Sequence, residues 1–223
     1  ALQQAVVAQQ ADLGIAFDGD GDRVVIADGT GTLYDGDMML YVIARHRREC
    51  GTLKGGVVGT LMTNFALERA LAAMDVPFVR AKVGDRYVLE AMQQRGWQLG
   101  GENSGHIVCL DKHTTGDGIV SALQVLHAMR RAGATLPELT AGFELFPQIL
   151  VNVRVPKGFD LSEHHSVGEA VKCAEADLAG SGRVLLRPSG TEPLLRVMVE
   201  GRDAQRVGSL ARDIASAVER AAA

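Results

Sequence analysis

Short apolar runs alternate with helix-period stretches through the first two-thirds of this 223-residue chain, and that alternation limits the fold more than any other feature. Residues 2–10 read as a helix, 13–17 as a buried strand and 24–27 as a second strand. A helix follows over 38–49 and a strand at 57–58. Asn64 then suits the N-cap of a helix whose Leu67, Leu71 and Met74 recur at spacings of four and three. Strand signals at 77–83, 97–101 and 107–110 flank helices over 85–95 and 119–131. This order predicts an α/β fold, a mostly parallel sheet with helices on both faces.

Gly133, Pro137, Gly142 and Pro147 break the pattern, which marks residues 133–146 as a linker after a first domain of residues 1–132. Residues 147–223 then read as a small α+β domain, with strands at 149–155, 183–186 and 195–199 and helices over 163–178 and 204–220. In the last helix Val207, Leu210, Ala211, Ile214 and Val218 form one apolar stripe.

Composition narrows the function classes. Lys plus Arg is 23 against 27 Asp plus Glu, a net charge of −4, and there is no long basic run. That leaves no electrostatic footprint for nucleic acid. No apolar stretch reaches the roughly 18 residues of a membrane span. Cys50, Cys109 and Cys173 are too few for a disulfide framework and lack zinc-site spacing, so a reduced, cytoplasmic protein is expected. The first residue is Ala1 and a helix body follows at once, which reads as the interior of a longer protein whose N-terminal domains lie outside this chain.

Three loops could carry chemistry. The first, Asp18-Gly19-Asp20-Gly21-Asp22-Arg23, follows a strand, and its carboxylates at i, i+2 and i+4 can point to one side. Each close carboxylate pair repels by about 4 kcal/mol at an effective dielectric near 20. A hard cation such as Mg²⁺ offsets that repulsion, whereas the bland reading is a splayed, solvated turn. A calcium EF-hand fails here, because Arg23 fills its glycine position and Gly29 its bidentate glutamate position.

The second loop, Gly101-Glu102-Asn103-Ser104-Gly105-His106, packs a carboxylate, an amide, a hydroxyl and an imidazole between two strands. Such a set can hold sugar hydroxyls, which both donate and accept, or it is a polar hairpin tip. In the third, Arg187-Pro188-Ser189-Gly190-Thr191-Glu192-Pro193, hydroxyls and exposed N–H groups around Gly190 can make an anion nest. Arg187 adds a bidentate donor and Arg196 follows, so the loop reads as a phosphate cradle or as a turn with an exposed arginine. Asp117 could cap the following helix or touch ligand, with capping favoured. The charges of Lys82-Val83-Gly84-Asp85-Arg86 suit structure and function equally. His164-His165 reads as surface and Cys109 as core.

Taken in order, these loops resemble the metal-binding, sugar-binding and phosphate-binding loops of the α-D-phosphohexomutase superfamily. The stretches Lys82-Val83-Gly84-Asp85-Arg86-Tyr87-Val88, Thr114-Thr115-Gly116-Asp117-Gly118 and Ser189 to Gly201 are most similar to its bacterial phosphoglucosamine mutase branch. The resemblance spans nearly the whole chain, as the third and fourth of the family's four domains. It implies a Mg²⁺-dependent isomerase that interconverts glucosamine 6-phosphate and glucosamine 1-phosphate through a sugar bisphosphate, on the way to amino-sugar cell-wall precursors. By the same resemblance Asp18, Asp20 and Asp22 hold the metal, with Arg23 beside the transferring phosphoryl group. Glu102, Asn103, Ser104 and His106 contact the sugar, and Arg187, Ser189, Gly190, Thr191 and Arg196 the other phosphate.

The family's nucleophilic phosphoserine, in a Ser-His-Asn type segment, is not among these 223 residues, so the chain alone is expected to be inactive. The general acid/base is open among Asp85, Arg86 and His106. Related activities on glucose or mannose phosphates, a non-catalytic sugar-phosphate binding module, and a phosphatase using Asp18 as nucleophile are the competing readings. The last lacks the separate lysine that such chemistry needs.

Overall fold

The computed structural model describes residues 1–189 and 192–222, which divide into two compact units, Ala1–Glu144 and Leu145–Ala223. Among the described residues no helix is long and apolar enough to cross a membrane.

In the first unit α1 (Leu2–Gln9) packs on β1 (Leu13–Phe17), so closely that a Cβ on Gly14 would lie 2.2 Å from the Val6 side chain. β1 pairs antiparallel with β2 (Val24–Asp28), and β2 with the two-residue β3 (Leu33–Tyr34). Asp35 caps α2 (Gly36–Glu49) by accepting from the Met38 N–H at 3.0 Å. There follow β4 (Val57–Thr60), α3 (Phe65–Ala73), β5 (Phe78–Ala81), α4 (Asp85–Arg95), β6 (Leu99–Gly101), β7 (Ile107–Cys109), α5 (Gly118–Ala132) and α6 (Leu136–Leu139). Asn64 caps α3 through the Ala66 N–H, and Asp117 caps α5 through the Val120 N–H at 2.9 Å, as their positions in the sequence suggest.

The second sheet runs β5-β4-β6-β7, with β4 parallel to both β5 and β6 and with β7 antiparallel to β6. Val58 of β4 shares a buried cluster with Val88 and Met92 of α4, while α2, α3 and α5 contact β6, β5 and β7. The α/β class holds, and parallel pairing is confined to the two ladders of β4.

Two details differ from the sequence reading. β1 is an edge strand whose residues 13–16 are half-buried and whose Phe17 is exposed, because only β2 pairs with it. The stretch 133–146 is not a bare linker. It carries α6, its Leu136 is buried, and its Phe143 stacks on Tyr41 at 4.2 Å between ring centroids. Burying such side chains contributes about 1.5–3 kcal/mol each, enough to hold the segment on the first unit.

The second unit is an antiparallel sheet in the order β8-β10-β9, formed by β8 (Gln148–Arg154), β9 (Gly182–Pro188) and β10 (Leu194–Gly201). A 3₁₀ turn (Leu161–Glu163) precedes α7 (His165–Leu178), and α8 (Ala204–Ala222) closes the chain. Val207, Ala211, Ile214 and Val218 of α8 are fully buried against Val197 and Val199 of the central strand, so the apolar stripe read from sequence is the core face.

Candidate active site

The acidic loop is the hairpin between β1 and β2. Its turn is closed by the Arg23 N–H, which donates to Asp18 Oδ1 at 3.1 Å, and by the Gly21 N–H, which donates to the Asp18 carbonyl. Asp18, Asp20 and Asp22 each offer a carboxylate oxygen, and the three oxygens lie within 4.8 Å of one another. Asp18 and Asp20 are exposed and Asp22 is partly covered. The Arg23 guanidinium stands over the cluster, with Nε 3.6 Å from Asp18 Oδ2 and 3.8 Å from Asp22 Oδ1. Partial desolvation works to raise the Asp18 pKa, but the Arg23 N–H and the Arg23 charge outweigh it and hold that carboxyl below its ordinary range. Three carboxylates so close, with one exposed arginine beside them, form an all-oxygen donor set of the kind that hard divalent cations take.

The turn 101–106 joins β6 to β7 and is bonded directly to that hairpin. Arg23 and His106 form a β-bridge, and the Val24 N–H donates to the Gly105 carbonyl at 3.2 Å. His106 Nδ1 lies 3.0 Å from Asp22 Oδ2. A carboxylate only accepts, so Nδ1 carries the proton. The imidazole is buried, and a Cβ on Gly116 would lie 2.1 Å from Nε2, so the ring packs directly against Gly116. His106 therefore supports the acidic hairpin and does not present its ring at the surface with the other polar residues of its turn.

The remaining members of the turn take separate places. Glu102 Oε1 accepts from the Gly84 N–H at 2.9 Å, which ties the stretch 82–86 to this turn, and Oε2 makes no hydrogen bond among the described residues. Asn103 uses its carbonyl to accept from the Gly36 N–H at the start of α2. Neither the Asn103 nor the Ser104 side chain makes a hydrogen bond among the described residues, and Ser104 is exposed. The Gly118 N–H donates to the Gly21 carbonyl at 2.9 Å, so the stretch 114–118 also abuts the acidic hairpin. Four stretches singled out in the sequence thus converge within the first unit. Asp117 serves as a cap, and Cys109 is core, its thiol pushed up to about 11 by burial.

The third loop belongs to the second unit. The Ser189 N–H donates to the Leu194 carbonyl at 2.8 Å, and Ser189 Oγ accepts from the Glu192 N–H. Arg187 on β9 stands directly opposite Arg196 on β10. Gly190 and Thr191 lie outside the described residues. A cavity of about 510 Å³ opens beside the loop, walled in part by Lys157, Phe159, Ser189 and Glu192.

One side-chain pairing in this site was not legible locally. Asp22 and His106 are separated by 84 residues, and the tertiary pairing of their loops, not local sequence, brings them together.

The model of the α/β/α domain III of phosphoglucomutase/phosphomannomutase matches residues 35–146, and that of its C-terminal domain matches residues 150–217. The chain belongs to the phosphoglucomutase/phosphomannomutase family. Within this family it is 61% identical over 223 residues to the phosphoglucosamine mutase of Nitrosospira multiformis, covering all of this chain and 48% of that one. It is 62% identical over 223 residues to that of Thiobacillus denitrificans, again covering all of this chain and 49% of the other. The chain therefore spans about half the length of the curated relatives it matches. The acidic hairpin precedes the stretch matched to domain III but lies inside these alignments.

Among solved structures of related fold, the N-acetylphosphoglucosamine mutase of Aspergillus fumigatus, in complex with GlcNAc-6P and magnesium, aligns with a TM-score of 0.74 at 22% identity. The alignment covers 100% of this chain and 53% of that one. A family protein from Burkholderia thailandensis aligns with a TM-score of 0.76 at 19% identity, covering 98% and 48%. At such identities the likeness speaks for the fold.

Proposed function

We propose that this chain is the C-terminal portion of a phosphoglucosamine mutase. The parent interconverts glucosamine 6-phosphate and glucosamine 1-phosphate, with its phosphoserine in the portion outside this chain. The observation that carries the reading is the hydrogen-bonded union of the acidic hairpin with the turn 101–106, joined by the Arg23–His106 bridge and the Asp22–His106 pair. It puts the three clustered carboxylates beside a turn rich in hydrogen-bonding side chains, which supports a cation site next to a sugar site.

In this reading Asp18, Asp20 and Asp22 hold Mg²⁺, which when bound neutralises charge on the oxygens of the transferring phosphoryl group. Arg23 presents its exposed guanidinium to the same group and stabilises negative charge there. Glu102, through the oxygen that Gly84 does not use, accepts from a sugar hydroxyl, and Asn103 and Ser104 offer further polar contacts. His106 keeps Asp22 oriented. Arg187 and Ser189, with Gly190, Thr191 and Arg196, bind the phosphate that is not transferring. A sugar bisphosphate has a phosphate at each end, so one fixed clamp suits it in either orientation.

The test is a coupled assay of glucosamine 6-phosphate with an activating sugar bisphosphate. The chain alone should bind Mg²⁺ and phosphosugar without turnover. Turnover should appear when the portion that this chain does not cover, taken from a relative such as the Nitrosospira multiformis protein, is supplied as a separate chain. Turnover by this chain alone would sink the reading. Binding with no rescue by that complementary portion would favour a sugar-phosphate binding module.

A further inference from the structure

The sheet of the second unit has two unlike faces. Val151 and Val153 of β8, Leu195 and Val197 of β10 and Leu186 of β9 all belong to the core under α7 and α8. Alternation turns the intervening side chains to the other face. At the end of that face next to Ser189 these are Arg154, Arg196 and Arg187, one from each of the three strands. Arg196 stands opposite Arg187 on one side and Asn152 on the other, and Arg154 is two residues beyond Asn152, opposite Leu194. Arg154 and Arg196 are therefore diagonal neighbours, about 7–8 Å apart at their Cα atoms, within reach of long side chains.

The two ends of this face treat charge differently. At the far end Arg183 is ion-paired with the buried Glu200, which also accepts from Gln148 at 3.2 Å. At the near end none of the three arginines has an acidic partner among the described residues. Like charges directly opposite in a ladder repel, and Arg187 and Arg196 occupy that arrangement with no carboxylate to offset it. The Ser189 N–H bond to the Leu194 carbonyl and the Val155 N–H bond to the Pro193 carbonyl hold the third loop and the end of β8 at this same edge.

We propose that Arg154 joins Arg187 and Arg196 in one anion site, and that its ligand is the dianion of a phosphate monoester. Arg154 supplies a donor from β8 that the loop itself does not contain. This rests on the reading of the third loop as a phosphate cradle. Three guanidinium groups on adjacent strands match a group with two negative charges and three acceptor oxygens, and a planar fork serves each oxygen better than an ammonium does.

Titration calorimetry of the whole 223-residue chain with inorganic phosphate, glucose 6-phosphate and glucose, above pH 7.5, tests this. Arg154→Gln should weaken both phosphate ligands about tenfold or more, the loss of one charge-assisted bond, and Arg154→Lys should restore part of it. Glucose should not bind at this unit with either residue. Arg154 is exposed at a strand end, and an unchanged far-UV spectrum checks that the fold persists. If Arg187→Gln weakens binding while Arg154→Gln does not, the inference fails and the cradle stands. If neither substitution matters, or the unaltered chain does not bind phosphate, both fail.

Discussion

Asp22 and His106 meet side chain to side chain, Oδ2 to Nδ1 at 3.0 Å. This contact fixes the direction of one carboxylate of the acidic cluster, in the way that outer partners orient metal ligands. His106→Ala should weaken Mn²⁺ binding, read by electron paramagnetic resonance, about tenfold. His106→Asn, whose amide can donate from a similar place, should recover part of the loss. Equal affinity in all three proteins would separate this pair from the cation site.

Asp20→Asn should act with opposite sign in two conditions. Without metal it relieves repulsion among three oxygens within 4.8 Å, so the EDTA-treated variant should melt slightly higher than the parent at low salt. With excess Mg²⁺ the order should reverse, because the variant gains less from the ion. Differential scanning calorimetry under both conditions checks the crossover, and parallel shifts would place the ion elsewhere.

Glu102 spends one oxygen on the Gly84 N–H. Glu102→Ala should strip that amide of protection and speed its hydrogen exchange about tenfold, consistent with the loss of roughly 1–1.5 kcal/mol. Glu102→Gln keeps a carbonyl acceptor and should retain the protection. Exchange measured at Gly84 by NMR distinguishes the two.

Gly36 opens α2 directly beneath the Glu102 carbonyl, and a Cβ there would lie 1.9 Å from that oxygen. Helix propensity alone favours alanine by up to about 1 kcal/mol. The clash is with backbone, which cannot step aside, and overpacking costs about 1–3 kcal/mol. Gly36→Ala should therefore lower stability in urea titrations, and a gain would show that the turn 101–106 yields freely.

Tyr34 donates to Asp28 Oδ2 at 3.0 Å, and burial together with that carboxylate raises its phenol to about 12. The unfolded phenol ionises near 10, so its contribution is complete below that pH and is lost as pH rises through about 12. Of the three tyrosines, one should therefore show a late phenolate step at 295 nm, absent in Tyr34→Phe. Asp28 shifts the other way. Burial works to raise it, but bonds from Thr30, Thr32 and Tyr34 prevail and hold it low, so its contribution disappears only as pH falls below the carboxylate range.

Local chemistry made much of this legible. Asn64 and Asp117 announced their helices because a capping side chain satisfies N–H groups two or three residues away, a relation contained in sequence. The stripe from Val207 to Val218 did the same for α8. Strand direction was not local. The run 13–17 has the same apolar pattern whether its neighbour is parallel or antiparallel, and the hairpin through Asp20 decides it. β3, with two residues, and α6, with four, are too short to carry a period. His106 could be read as polar, but its partner lay 84 residues away.

The bridge between Arg23 and His106 has a mechanical meaning. A cation held by the hairpin and a sugar held by the turn would sit on a single stiff plate, because the two loops share main-chain bonds and cannot part without breaking them. If the proposed reaction holds, a bisphosphate that presents first one end and then the other would get no help from relative motion of these loops. On the proposed function, the turning would then be left to the ligand, over two loops that hold each other in place.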